Sequence, residues 1–244
     1  MLRRRPENQQ MPSADTPRFT PTGDAHARPY VRQERGHQSM HFSDAAIQSR
    51  MHTAQPDSLA LEYTRTMMGF LIFDAAPQRI AMIGLGGGSM ARFCHRHLPL
   101  AQLTVVEINP HVIAPHERFK VPPESARFEV VQADGADFLA ATAEHFDALL
   151  VDAFDADGIP EALVTRRFYD DCARALVPGG ILVVNLHAMH PHFTAYVDRP
   201  RLRSWLMRMT PGAMGAFTLA VSAIAAVRNA ARGLTVPFHL NPSE

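Results

Sequence analysis

The chain has 244 residues, of which 46% are hydrophobic, enough to bury the core of one substantial domain with a small appendage. Lys plus Arg and Asp plus Glu are equal at 24 each, so no net field favours nucleic acid or an anionic membrane as a partner. Cys94 and Cys172 have no regular spacing, which indicates a reducing compartment rather than a disulfide scaffold. We therefore expect a globular cytoplasmic protein.

The N-terminal part of the sequence is expected to contain a tail, a small lobe and a linking helix. Residues 1–28 are polar, rich in proline and almost free of aliphatic residues, which predicts a disordered tail and no secretion signal. Short alternating stretches over residues 30–50 predict a β-rich lobe. Helical spacing over residues 59–73 predicts a helix that ends before Pro77. We assign the lobe and this helix to residues 29–75.

The remaining sequence alternates aliphatic runs with segments long enough for helices. The five runs are residues 80–83, 103–106, 128–131, 148–151 and 181–184. Continuous aliphatic runs are typical of parallel strands covered on both faces, so an α/β fold with a doubly wound, Rossmann-like, mainly parallel sheet is predicted over residues 76–232. Pro-Gly-Gly at 178–180 predicts a turn before the fifth run. An apolar stretch at 212–227 is too short to span a bilayer and is assigned to core strands or a core helix, and 233–244 to a tail.

A glycine-rich turn follows the first strand and precedes a predicted helix. Gly84, Gly86 and Gly88 would let a ligand approach backbone N–H groups at the start of that helix. A dinucleotide fingerprint has its third glycine at the sixth position, whereas Ser89 stands there in this chain. The spacing favours a nucleoside, with a purely structural turn as the alternative.

Acidic residues follow the next two strands. Glu107 lies 23 residues after Gly84, close to the spacing at which an acid accepts hydrogen bonds from both ribose hydroxyls, although a solvated strand-end carboxylate is the alternative. Asp134 and Gly135 end the third strand. There the glycine would allow close approach of a base and the carboxylate would accept from the adenine amine, unless Asp134 serves only as a helix N-cap.

The fourth strand ends in a cluster of carboxylates. Asp152, Asp155 and Asp157 precede a Gly-Ile-Pro turn. The carboxyl ends of parallel strands form the ligand-binding edge of open α/β sheets. Carboxylates gathered there suit a cationic substrate or removal of a proton from an amine.

Together these motifs resemble the spermidine synthase family of polyamine aminopropyltransferases, which have the class I S-adenosylmethionine-dependent methyltransferase fold and a small N-terminal β lobe. The resemblance covers roughly residues 30–187 and rests on the glycine turn, VEINP, Asp134-Gly135 and the D-x-x-D pair Asp152 and Asp155 followed by GIPEAL and Phe-Tyr. It implies a transferase of polyamine biosynthesis that moves an aminopropyl group from decarboxylated S-adenosylmethionine to an amine such as putrescine.

The resemblance also implies roles for individual residues. Asp152 would be the general base that takes a proton from the attacking amine. The substrate-binding residues would be Asp155, which holds the cationic amine, Tyr63 and, from the segment FSDAAIQ, Gln48. The donor-binding residues would be Gly84, Gly86, Gly88, Glu107 at the ribose, Asp134 at the adenine, and Gly135. The expected partner is a small-molecule amine, with no nucleic acid, membrane or metal. Family members commonly form dimers or tetramers, so a homodimer is compatible with the resemblance.

Two positions depart from the family pattern, and one of them is Thr64, which follows Tyr63 where the family commonly has Gln or His. Gly87 stands where the family has an aspartate that contacts the aminopropyl part of the donor, so ordinary S-adenosylmethionine also stays open as the donor. An S-adenosylmethionine-dependent methyltransferase is therefore the alternative function, and a catalytically silent paralogue is a third. His187, His190 and His192 follow the fifth strand, and we expect His187 to line the substrate pocket rather than the three to bind a metal.

Overall fold

A computed structural model describes residues 26–43, 47–154 and 159–186, and the backbone of residues 218–221. The lobe is a three-stranded antiparallel sheet of β1 (Tyr30–Glu34), β2 (His37–His41) and β3 (Ser49–His52), in the order β1-β2-β3. Met40 on β2 and Met51 on β3 are buried in the same hydrophobic cluster as one face of the main sheet. The predicted β-rich lobe is confirmed, and its core is continuous with that of the main domain.

The linking segment is helical but changes type along its length. Helix α1 (Glu62–Met67) continues as a 3₁₀-helix over Met68–Ile72. Thr64, Thr66 and Gly69 have low intrinsic helix propensity, which accounts for the short α-helical part. Burial of Met67 and Phe70, rather than propensity, fixes the segment against the sheet.

The main sheet has six strands, all paired in parallel in the order β6-β5-β4-β7-β8-β9. The strands are β4 (Arg79–Ile83), β5 (Gln102–Glu107), β6 (Phe128–Gln132), β7 (Phe146–Val151), β8 (Leu176–Leu186) and β9 (Thr218–Val221). The five predicted strands are confirmed, and β9 lies within the apolar stretch 212–227. Because β4 pairs with β5 on one side and β7 on the other, the strand order reverses at β4, and the carboxyl end at such a reversal is where open α/β sheets bind ligands.

Both faces of the sheet are covered. The helices that follow the strands are α2 (Ser89–His97), α3 (Pro110–Ile113), α4 (Gly135–Ala141) and α5 (Arg166–Ala175), with a 3₁₀-helix at Glu161–Val164. On β4, Ile80 and Met82 belong to one hydrophobic cluster, whereas Ala81 and Ile83 belong to the other. Successive side chains of a strand point to opposite faces, so the continuous aliphatic run reflects burial on both sides.

Strand β8 begins earlier than expected. Pro-Gly-Gly at 178–180 was predicted to be a turn before the strand, but these residues lie within β8. Phe146 pairs with Leu176 and Ala148 with Ile181, so two steps along β7 match five along β8. The prediction of a separate turn is therefore wrong: the segment is a bulge, and Gly179 takes a φ of 89° that a side chain would disfavour.

Several sequence predictions concern the ends of the chain. Residues 1–25 and 233–244 lie outside the described residues, so the boundaries of the tails and of the two domains stay predictions. Residues 26–28 are described, and the Ala27 carbonyl accepts a hydrogen bond from Nδ2 of Asn109 at 2.8 Å. Within the described part of the chain, no helix has the length and apolar character to cross a membrane.

Candidate active site

The glycine turn leaves β4 at the point where the strand order reverses. The Gly84 N–H donates to the Val106 carbonyl at 2.8 Å, and Gly84, Gly86 and Gly88 have φ values of 98°, 51° and 68°. A Cβ at Gly84 would lie 2.2 Å from the backbone oxygen of Asp152. Glycine is therefore required both by conformation and by the close approach of the β7 end. The turn and Asp152 are brought together, as the sequence predicted.

Glu107 is tied directly to this turn. Its Oε2 accepts from the Leu85 N–H and its Oε1 from the Asn109 N–H, both at 2.9 Å, and the residue is only 9% exposed. Burial raises the pKa of the Glu107 carboxyl, whereas hydrogen bonds from surrounding backbone N–H groups oppose that rise. Glu107 is thus not a solvated strand-end carboxylate. It fixes the first residues of the turn through their backbone N–H groups.

Asp134 and Gly135 form the start of α4. Oδ1 of Asp134 accepts from the N–H groups of Ala136 at 2.7 Å and Asp137 at 3.2 Å, so Asp134 is the N-cap. A Cβ at Gly135 would lie 2.3 Å from Cγ2 of Ile83, so glycine permits the close packing of α4 on β4. The capping alternative is confirmed, and it uses Oδ1 alone, so the predicted contact of Asp134 with adenine stays a prediction.

Asp152 is held by side chains from two other elements. Its Oδ2 accepts from the Tyr63 hydroxyl at 3.2 Å, and its Oδ1 accepts from Nδ2 of Asn185 at 2.8 Å. Burial raises the pKa of Asp152, the two hydrogen bonds lower it, and the charge of Glu107 raises it. The pKa of Tyr63 is raised well above its usual value by burial, and further by the charge and hydrogen bond of Asp152. Asp152 is therefore an oriented carboxylate with an increased tendency to take up a proton.

Asn185 was missed by the sequence interpretation. It lies at the carboxyl end of β8, directly after the aliphatic run 181–184, and is only 7% exposed. Because β8 pairs in parallel with β7, the residue after the run on β8 lies beside the residue after the run on β7, which is Asp152. A polar residue at the end of an aliphatic strand was the available signal.

The lobe contacts the glycine turn through β3. The Ser49 hydroxyl lies 3.4 Å from the Ser89 hydroxyl, and a Cβ at Gly87 would lie 2.5 Å from Oγ of Ser49 and 2.9 Å from the Phe119 ring. The space next to Gly87 is therefore already filled. Gln48 precedes Ser49, is half-buried, and donates its backbone N–H to the Met40 carbonyl at 2.9 Å. This places Gln48 at the lobe edge next to the turn, while its role in the pocket stays a prediction.

Arg92 lies beneath the turn and was also missed. It is 1% exposed and donates to the carbonyls of Gly87, Phe119 at 2.6 Å and Pro56 at 2.7 Å. Burial lowers the pKa of Arg92 to about 10. The Arg92 side chain, from helix α2, thereby joins the glycine turn, the loop before β6 and the segment after the lobe. These contacts fix the shape of the turn.

Some predicted site residues cannot be placed. Asp155, Asp157, His187, His190 and His192 lie outside the described residues. In the part of the chain that is described, no group of three or more His, Cys, Asp or Glu side chains is arranged to hold a metal ion.

Comparison with known proteins identifies the family. A family model described as "Spermine/spermidine synthase domain" matches residues 60–199. A polyamine aminopropyltransferase of Chromobacterium violaceum is 41% identical over 183 residues, which are 75% of this chain and 70% of the relative. One of Neisseria meningitidis serogroup A is 40% identical over 171 residues, 69% and 65% of the two chains. The chain thus spans about two thirds of the length of these relatives.

Solved structures share the fold. A probable spermidine synthase of Corynebacterium glutamicum superposes with a TM-score of 0.57 at 23% identity, over 64% of this chain and 59% of that one. The spermidine synthase of Thermotoga maritima gives 0.52 at 20% identity, over 72% and 64%. With the family match covering more than half of the sequence, the chain belongs to the spermine/spermidine synthase family.

Proposed function

We propose that this chain is a polyamine aminopropyltransferase, which moves an aminopropyl group from decarboxylated S-adenosylmethionine to an amine such as putrescine. The observation that carries the proposal is the position of Asp152, which is oriented by Tyr63 and Asn185 and packs against Gly84 of the turn. A proton acceptor and a nucleoside-binding turn therefore meet at one edge of the sheet. The names of the relatives support this chemistry.

The residues of the turn fit an adenosyl group. Glu107 is buried beside the turn, where backbone N–H groups fix its carboxylate, and it would accept hydrogen bonds from the ribose hydroxyls. Oδ2 of Asp134 would accept from the adenine amine, with Gly135 keeping the backbone close to the sheet. Gly84, Gly86 and Gly88 would leave backbone groups accessible near the sulfonium end. The donor is thus bound through its nucleoside, with its reactive carbon toward Asp152.

The transfer itself is a direct displacement at carbon. The amine nitrogen forms a bond to the aminopropyl carbon while the carbon–sulfur bond breaks, and its electron pair leaves with sulfur as a neutral thioether. Alkyl amines have a pKa of about 10 and are mostly protonated at neutral pH, so a proton must first leave the nitrogen. Asp152 takes it, and burial makes its carboxylate a better proton acceptor than an exposed aspartate. Asp155, Tyr63 and Gln48 would hold the rest of the amine.

The test is transfer by the purified protein. With decarboxylated S-adenosylmethionine and putrescine, we expect equal amounts of methylthioadenosine and spermidine. Asp152→Asn should lower turnover roughly 100-fold or more and leave methylthioadenosine affinity largely intact. Asp147→Asn is the matched control at the opposite end of β7, where Asp147 accepts from the backbone N–H groups of Gln78 and Arg79. Methylthioadenosine binding without transfer to any diamine, or full activity of Asp152→Asn, would contradict the proposal.

A second candidate is methyl transfer from S-adenosylmethionine, and Gly87 is the observation that favours it. The space beside Gly87 is filled by Ser49 and Phe119, so no carboxylate at this position repels a donor that carries its own carboxylate. The same assay with S-adenosylmethionine distinguishes the two functions. Formation of S-adenosylhomocysteine would support methyl transfer, and its absence alongside spermidine formation would exclude it.

The remaining expectations accompany this proposal. Cys94 and Cys172 are both free and buried, in agreement with a reducing compartment such as the cytoplasm. A homodimer is proposed on the resemblance to the family alone. Light scattering of the full chain gives its mass in solution directly.

A further inference from the structure

One polar side-chain atom of Asn185 forms a hydrogen bond, and the other has no partner among the described residues. Its Nδ2 donates to Oδ1 of Asp152 at 2.8 Å, whereas its Oδ1 is buried without a hydrogen-bond partner among the described residues. The residue is 7% exposed. A buried acceptor without a donor is costly, and such atoms in native proteins call for an explanation.

The orientation of the amide follows from the chemistry of its neighbour. An ionised carboxylate only accepts hydrogen bonds, so the amide nitrogen must face Asp152 and the amide oxygen must face another direction. The oxygen is joined to the nitrogen through a single carbon, so it lies next to the carboxylate. A ligand nitrogen bound at Asp152 is therefore the natural donor for this unpartnered oxygen.

The second carboxylate oxygen of Asp152, Oδ2, already accepts one hydrogen bond. The Tyr63 hydroxyl donates to Oδ2 of Asp152 at 3.2 Å, and Glu107 acts on Asp152 through its charge. Among the described side chains of Tyr63, Asp152 and Asn185, Oδ1 of Asn185 is the buried acceptor that lacks a donor. An ammonium group has several N–H donors and no acceptor, which is the complement of this arrangement.

We propose that Oδ1 of Asn185 accepts a hydrogen bond from the nitrogen of the acceptor amine, so that Asn185 and Asp152 hold this nitrogen between them. This inference rests on the proposed aminopropyl transfer. One N–H of the ammonium points to Asp152 and is transferred there. The lone pair left on the nitrogen points along the broken N–H bond, toward Asp152. Rotation about the C–N bond then turns it toward the donor carbon, while another N–H of the amine donates to Asn185. Asn185 is thus an acceptor-binding residue that also orients the general base.

Two variants and one control test this role. Asn185→Leu removes both polar atoms at similar volume, and Asn185→Asp keeps the shape but places a second carboxylate against Asp152. Thr104→Val is the matched control, because Thr104 is also a nearly buried sheet residue whose side chain bonds to a carboxylate, Glu129, at 2.8 Å away from the site. The measurements are calorimetric binding of methylthioadenosine, binding of putrescine to the methylthioadenosine complex, and the pH profile of kcat/KM for putrescine.

For Asn185→Leu we expect methylthioadenosine affinity within about threefold of wild type and putrescine affinity reduced roughly tenfold or more, because one hydrogen bond to a charged group is lost. The acid limb of the kcat/KM profile, where the rate rises as Asp152 ionises, should move to higher pH. Asp152 loses a hydrogen-bond donor that favours its ionised form, so its pKa rises. Asn185→Asp should move the same limb by about one pH unit or more, because two adjacent carboxylates share a proton. Thr104→Val should change none of these quantities.

The outcomes separate this role from the proposed function. If wild type transfers the aminopropyl group and Asn185→Leu keeps wild-type putrescine affinity, Asn185 only orients Asp152 and only this inference is overturned. If Asn185→Leu does not fold, as loss of methylthioadenosine binding would show, Asn185→Asp decides by its putrescine affinity above its acid limb: it keeps an acceptor oxygen, so retained affinity supports this role and a loss of roughly tenfold or more overturns it. If wild type binds methylthioadenosine but neither binds putrescine nor transfers to it, the proposed function and this role are both overturned.

Discussion

Tyr63 and Asp152 are 89 residues apart in the sequence, and the Tyr63 hydroxyl donates to Oδ2 of Asp152 at 3.2 Å. The contact joins helix α1, which follows the lobe, to the carboxyl end of β7 in the main sheet. Burial and the charge of Asp152 both raise the pKa of Tyr63, so the phenol keeps its proton and donates this hydrogen bond. The lobe side of the molecule thus contributes directly to the state of the proposed general base.

Replacement of Tyr63 tests this contribution. In Tyr63→Phe the carboxylate of Asp152 loses a hydrogen bond that lowers its pKa, so the pKa should rise further. The acid limb of kcat/KM should move to higher pH, and turnover at neutral pH should fall roughly tenfold. A pH–rate profile measures both effects. Tyr169→Phe is a control at a second buried tyrosine, packed in the cluster on the opposite face of the sheet; an equal shift there would argue against a specific effect of Tyr63.

The raised pKa of Asp152 also has a consequence for stability. Burial raises its folded-state pKa above the value of about 3.9 in an unfolded chain. Its stabilising contribution is therefore present below about pH 4 and is lost as the pH rises through the folded-state pKa. Asp152→Asn removes the ionisation, and the Asn185 amide can turn its free oxygen toward the new amide nitrogen.

The variant should accordingly have the larger free energy of unfolding at neutral pH. The difference from wild type should shrink as the pH falls through about 4, because Asp152 then becomes protonated in both the folded and the unfolded chain. Urea unfolding midpoints from pH 4 to 8 give the comparison, and loss of the Asp152 charge also removes its repulsion with Glu107, which acts in the same direction. If Asp152→Asn is less stable than wild type at pH 7 and equally stable at pH 4, ionised Asp152 stabilises the folded chain and this prediction is contradicted.

Much of this site was predictable because the carboxyl ends of parallel strands meet at one edge. The aliphatic runs fix which residue ends each strand, and Glu107, Asp134 and Asp152 follow three such runs. Alternate residues of β4 enter opposite hydrophobic clusters, so the run also reports burial on both faces. Local sequence sufficed for the strands, the glycine turn and the start of α2.

The contacts that complete the site depend on packing between distant segments. Nothing near Arg92 in the sequence indicates that its guanidinium reaches the carbonyls of Phe119 and Pro56. The filling of the space at Gly87 by Ser49 follows from how the lobe sits on the turn. Pro-Gly-Gly at 178–180 has the composition of a turn, and only pairing of its flanks with β7 makes it a bulge.

Glu107 should matter for the turn as well as for the donor. In Glu107→Gln one acceptor oxygen becomes an NH₂ group, so the N–H of Leu85 or Asn109 loses its partner. We expect methylthioadenosine affinity to fall roughly tenfold or more by calorimetry. Glu129→Gln is the control, because Glu129 is exposed on β6 and accepts from the Thr104 hydroxyl. Unchanged affinity in Glu107→Gln would remove Glu107 from the donor site.

Three glycine variants separate backbone strain from steric contact. Gly69→Ala meets nothing within 4 Å and has no positive φ, so its effect on stability should be small. Gly36→Ala also meets open space but has a φ of 77°, and should cost about 1–2 kcal/mol from conformation alone. Gly84→Ala adds a Cβ at 2.2 Å from the Asp152 carbonyl to a φ of 98°.

Gly84→Ala should therefore lower the free energy of unfolding by more than Gly36→Ala does, roughly 3 kcal/mol or more, because the β7 end must move. Methylthioadenosine affinity and turnover should both fall, since the displaced backbone carries Asp152 with it. Urea unfolding and calorimetry of the three variants provide the comparison. If Gly84→Ala and Gly36→Ala lose the same stability and both retain the ligand, the close approach of the turn to Asp152 is not required for the site.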